Sequence, residues 1–146
     1  MVVERSSLPF KNEIVSETNL FEVGQDWEVP IPGFFIIAAK REEIKSIGDF
    51  NSKELKEFTQ LLYILRKVMR KLGIETVMMF QDEEVDHFHM WILPRYPWME
   101  KFGHKIESVR PILEFAKREM MTQEVFQEIK EYVSKARELM IKGFDY

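Results

Sequence analysis

Between Asn51 and Gly73, apolar residues recur at intervals of three and four: Leu55, Phe58, Leu61, Leu62, Leu65, Val68, Met69 and Leu72. On a helix that spacing gathers them into one stripe and leaves the other sides polar. Asn51 and Glu54 have the spacing of a capping box, and Gly73 is a suitable C-terminal stop. A one-sided helix of this length must lie against another apolar surface, and its flanks supply candidates. Leu20 to Val23 reads as a short strand. Phe34 to Ala39 is a continuous apolar run between Gly33 and Lys40, as in a buried strand. Thr76 to Phe80 is β-rich, and His87 to Leu93 is a further strand closed by Pro94. After Pro97 the pattern turns helical. Pro111 fits a first helical turn, and that helix runs to about Met120. Thr122 can cap a last helix with the stripe Val125, Ile129, Tyr132, Val133, Ala136 and Met140. Strand, strand, long helix, strand, strand, helices is an α+β order, an antiparallel sheet covered by a helix.

Composition agrees with one domain. The chain has 146 residues, 45% hydrophobic, with 12 Phe and 9 Met to fill a core. It has no cysteine, which excludes disulfides, thiolate metal sites and cysteine nucleophiles. The formal net charge of −4 gives no general attraction to polyanions, so a nucleic acid polymer is not the expected partner. A small phosphorylated ligand remains open, because one local site can oppose the global charge. Residues 1–11 lack the apolar run of a secretory signal. No segment approaches the roughly 18 apolar residues of a membrane span. The cytoplasm is the expected setting, with no membrane partner. The first ten residues, with Ser6, Ser7 and Pro9, read as an irregular arm.

Chemistry concentrates in His87-Phe88-His89-Met90-Trp91-Ile92-Leu93-Pro94-Arg95. Alternation puts His87, His89 and Trp91 on one face and Phe88, Met90 and Ile92 on the other, apolar one. The two imidazoles then stand side by side, with Cα atoms roughly 6–7 Å apart. Near neutral pH an imidazole is partly uncharged and serves as nucleophile or base. Three readings stay open on the residues alone. The pair can be a nucleophile with its support, or ordinary surface residues on a half-exposed strand. It can also be two ligands of a metal site completed by Asp82, Glu84 or Asp86.

The same segment resembles the signature of the histidine triad (HIT) family, His-x-His-x-His followed by apolar residues and often Leu-Pro-Arg. Upstream, Asp26-Trp27-Glu28-Val29-Pro30-Ile31-Pro32-Gly33-Phe34-Phe35-Ile36-Ile37 is similar to that family's ribose-binding loop and Pro-Gly-His strand. The resemblance spans about Phe21 to Arg95. It implies a HIT-like antiparallel sheet with one long covering helix and extra C-terminal helices. The organisation would be a single domain over 1–146, with an N-terminal arm over 1–19, a matched core over 20–95 and a helical extension over 96–146. The implied activity is hydrolysis or nucleotidyl transfer at the α-phosphate of a purine nucleoside phosphate, with diadenosine tetraphosphate and nucleoside phosphoramidates as candidates. His89 would be the nucleophile and His87 its hydrogen-bonding support. Asp26 would hold the ribose, Trp27 would contact the base, and Gln81 would approach the nucleotide. The resemblance also implies a homodimer; no metal ligand set and no cofactor is expected, with Mg²⁺ the one candidate left open.

The chain departs from the pattern at three places. Trp91 replaces the third histidine, and an indole donates a hydrogen bond but cannot relay a proton. Phe34 replaces the histidine of Pro-Gly-His, which would extend a hydrogen-bond chain behind His87. Gln81-Asp82-Glu83-Glu84-Val85-Asp86 replaces a segment that donates to phosphates. Its carboxylates repel phosphate unless a cation such as Mg²⁺ intervenes. These departures keep a second function in view, a module that binds nucleotide without turning it over. His104 is expected to have no role. On the residues alone, capping a turn is the commoner role for an aspartate such as Asp26, Trp27 could be core, and Trp91 could pack or donate to a phosphate oxygen.

Overall fold

In the computed structural model, which describes residues 9–84 and 87–142, the stripe between Asn51 and Gly73 forms helix α1, Ser52–Lys71. Asn51 caps it. The Asn51 side chain accepts from Glu54 N at 2.8 Å, and Glu54 Oε1 accepts from Asn51 N at 2.8 Å, closing the capping box. Gly73 follows with φ +89°, a conformation glycine adopts without a Cβ penalty. Phe58, Leu61, Leu65, Val68 and Met69 are buried, while Leu55, at one edge of the stripe, is 48% exposed.

The surface under α1 is a five-stranded antiparallel sheet. Its strands are β1 (Ile14–Glu17), β2 (Phe21–Gln25), β3 (Phe35–Ala39), β4 (Val77–Gln81) and β5 (His89–Pro94), in the spatial order β1-β2-β3-β5-β4. The sheet therefore takes in part of the segment expected to be an arm: Ile14–Glu17 pairs with β2 through an irregular register. Residues 1–8, including Ser6 and Ser7, lie outside the described residues, as do Val85 and Asp86. His87 precedes β5, and Pro94 is its last residue, paired with Val77.

Cross-strand partners share a face. Phe35 with Ile92, Ile37 with Met90, and Val23 with Ile37 define the face that α1 covers. Helix α3, Gln123–Lys142, completes this core with Ile129, Val133 and Ala136. Thr122 Oγ1 caps it by accepting from Val125 N at 3.2 Å. Helix α2, Val109–Glu119, lies over one end of the opposite face. There Ile112 and Ala116 join Val29, Ile31, Phe34, Leu93 and Met99 in a second core. The segment after Arg95 is thus integral to both cores. Each large apolar side chain so buried contributes about 2 kcal/mol relative to exposure. Among the described residues no helix is long and apolar enough to cross a membrane.

Candidate functional site

The sheet face turned away from α1 and α3 carries the expected chemistry. Ala38 pairs with His89, and Ile36 with Trp91. Phe80 pairs with Trp91 from the other side. One row across this face is therefore Glu22, Ala38, His89, and the next is Gly24, Ile36, Trp91, Phe80. The rings form a file. His87 and His89 centroids are 5.4 Å apart, edge to face, and His89 and Trp91 are stacked at 5.8 Å. Trp91 is stacked in turn on Phe80 at 5.7 Å. Trp27 and His89 meet edge to face at 5.7 Å. His87, His89, Trp91 and Trp27 are thus brought together.

Hydrogen bonds fix both imidazoles. His89 Nδ1 lies 2.8 Å from the His87 backbone carbonyl. A carbonyl only accepts, so Nδ1 carries the proton, and in the neutral ring Nε2 keeps its lone pair. His87 Nε2 donates to the Ala39 carbonyl. The expected support for His89 therefore comes from the main chain of residue 87, while the His87 ring is tied to β3.

Asp26 stands at the Trp91 end of the file, beside the indole. It sits just after β2, only 6% exposed, with its N–H on the Phe34 carbonyl at 2.8 Å. Its Oδ1 accepts from Glu28 N at 2.8 Å and Val29 N at 2.7 Å. That oxygen caps the turn, as such an aspartate commonly does, and the turn accounts for one of the two carboxylate oxygens. Burial pushes its carboxyl up to about 6, against the two backbone hydrogen bonds and the nearby Trp91 indole, which favour the ionised form.

Gln81 departs from its expected place. It pairs with Met90 and shares the helix-covered face, and its Nε2 donates to the Lys45 carbonyl at 3.1 Å. The pleat sends it away from His89. Phe34 is buried at the Leu93 end of β5, 6.3 Å from Phe80, so it backs the Trp91 end of the file and not His87. Arg95 ties down the chain that follows, donating to the Gly103 carbonyl at 2.6 Å and to Ser108 Oγ at 3.2 Å. His104 borders a groove beside Arg95 and Tyr96, apart from the histidine file.

The sequence did not identify a shallow recess beside His89, lined by Ile14, Glu22, Gly24, Gln25, Trp27, Ile36 and Ala38. One signal for it was present in β2, where polar Glu22 and small Gly24 alternate with Phe21 and Val23. Strand β3 is apolar on both faces and offered none. Among the described residues no three His, Asp or Glu side chains converge as metal ligands. Asp86, one of the candidate ligands, lies outside them.

No protein-family model and no curated protein matches this sequence. Solved structures do. A Zn-bound histidine triad family protein from Mycobacterium smegmatis superposes with a TM-score of 0.59 at 14% identity, over 89% of this chain and 84% of that one. A HIT-like protein involved in cell-cycle regulation from Bartonella henselae gives 0.57 at 16% identity, over 86% and 84%. The Plasmodium falciparum diadenosine triphosphate hydrolase, solved with cyclomarin A, gives 0.54 at 17% identity, over 93% and 81%. These likenesses concern the fold, and they reach well past the stretch from Phe21 to Arg95.

Proposed function

We propose that this chain, which has the histidine triad fold, is a cytoplasmic nucleotide hydrolase or nucleotidyl transferase acting at an α-phosphate through His89. The observation that carries the proposal is the His89 Nδ1 contact with the His87 carbonyl. It sets the tautomer in which Nε2 is the nucleophilic nitrogen, on the sheet face that α1 and α3 leave uncovered. Nε2 attacks the α-phosphorus, an N–P bond forms, and the bond from phosphorus to the leaving group breaks. Water then adds to phosphorus, the N–P bond breaks, a proton passes to solvent, and a nucleoside monophosphate departs. Trp91 stacks against His89 and limits its rotation.

Trp91 cannot hand a proton to the leaving group. A group that is stable as an anion is therefore the better match, which favours a dinucleoside polyphosphate such as diadenosine tetraphosphate over an amine-releasing phosphoramidate. Asp82, Glu83 and Glu84 follow β4 and add negative charge near the site. Mg²⁺ bridging to the substrate phosphates would offset it. The resemblance further suggests a homodimer, which sedimentation of the purified protein checks.

The deciding experiment is product analysis after incubation with diadenosine tetraphosphate, with and without Mg²⁺, for the unmutated protein and His89→Ala. Nucleoside phosphate from the unmutated protein, with turnover lowered at least about a thousandfold in the variant, is expected. Equal turnover by both overturns the role of His89. Binding without product points to the second reading, a nucleotide-binding module, which the missing third histidine favours.

A further inference from the structure

Glu22 shares a sheet face with His89, separated from it by Ala38 alone. Two strand spacings, about 9–10 Å, lie between their backbones. The ground between is low. Ala38 contributes one methyl, and in the adjoining row the Ile14 side chain and the Glu13 carbonyl stand 3.3 and 3.0 Å from where a Gly24 Cβ would be and close that side of the recess. Trp27 borders the same recess with an apolar ring, and Glu22 is its carboxylate. The recess is shallow, so it meets one side of a ligand. Asp26, expected to hold the ribose, stands at the Trp91 end of the file with Oδ1 in its own turn, and it is not among the residues that line the recess. Glu22 is half-buried and faces the recess.

We infer that Glu22 reads the base of the bound nucleotide and selects guanine. The inference rests on the nucleotide reading above and adds the identity of the base. A nucleoside extended from a phosphorus at His89 crosses Ala38 with its ribose and brings its base to Glu22. An ionised carboxylate only accepts hydrogen bonds. Guanine offers two adjacent donors, N1–H and the 2-amino group, which match two carboxylate oxygens in a bidentate pair. Adenine sets its 6-amino donor beside N1, an acceptor whose lone pair opposes the carboxylate. Hypoxanthine keeps N1–H and lacks the 2-amino group.

The test compares diguanosine and diadenosine tetraphosphate by kcat/KM. It also compares guanosine, inosine and adenosine monophosphates by calorimetric affinity, for the unmutated protein, Glu22→Gln and Glu22→Ala. Melting curves show that each variant is folded. The unmutated protein should favour guanosine over adenosine by about tenfold or more, with inosine between. Glu22→Gln should move the preference toward adenine, because its amide pairs an acceptor with the 6-amino group and a donor with N1. Equal affinity for the bases in the unmutated protein overturns the inference. So does an equal loss for all nucleotides in Glu22→Ala, which would place the carboxylate on the ribose. If folded protein neither binds nor cleaves any nucleotide, the functional reading itself falls, and the base assignment with it.

Discussion

Asp26 shows how a single burial changes what a side chain can do. Its folded carboxyl is raised from 3.8 to about 6, chiefly by loss of solvent. Below pH 3.8 it is mostly protonated in both folded and unfolded chains. Between 3.8 and about 6 only the unfolded chain has released the proton, so stability falls as pH rises. The loss amounts to about 3 kcal/mol and levels off above pH 6. Asp26→Asn keeps an acceptor for the turn and cannot ionise. Its stability relative to the unmutated chain should therefore rise between pH 4 and pH 7. Denaturant titrations at both values check this, and parallel behaviour would place the titration on another group. The site was legible at the residues whose roles follow from alternation. His89 and Trp91 share a face as the two-residue period requires. The turn that Asp26 caps and the facing of Gln81 were not, because one depends on a three-residue turn and the other on the register of β4 against β5.

At the scale of elements, the start of α1 depends on Glu54. Its carboxylate takes Arg41 Nη2 at 2.8 Å and Nε at 3.0 Å, along with the Asn51 N–H, and it is almost fully buried. The Arg41 bond, more than any other contact, holds its acidity stronger than that of an ordinary glutamate. Glu54→Ala should cost about 2 kcal/mol, reduced from fully buried values because Arg41 is partly exposed. A lowered carboxyl stabilises above its unfolded value of 4.5, and that contribution disappears as pH falls below it. The gap in Tm between the variant and the unmutated chain should therefore narrow from pH 6 to pH 3. An unchanged gap would assign Glu54 a packing role only. Helix α1 was readable because its stripe and both ends agree. Strand β1 was not, because Ile14-Val15-Ser16-Glu17 is short and its pairing with β2 is irregular. The Arg41–Glu54 pair, 13 residues apart, leaves no periodic trace.

Across the whole molecule, the last helix closes what the first leaves open. Phe126 meets Phe10 at 5.4 Å, and Ile129, Val133 and Ala136 sit in the core beside Val15 and Phe21. A chain ending at Thr122 exposes that side of the sheet. It should lose its cooperative thermal transition and bind a hydrophobic dye, and a sharp transition like that of the full chain would refute this. The two packed layers also hold steady β5, which the His87 carbonyl shortly precedes. That carbonyl is common to all twenty amino acids. Replacing the side chain at residue 87 leaves in place the group that sets the proton on His89. The instruction for that proton is therefore carried by the course of the backbone, and the identity of the side chain at residue 87 leaves it unchanged.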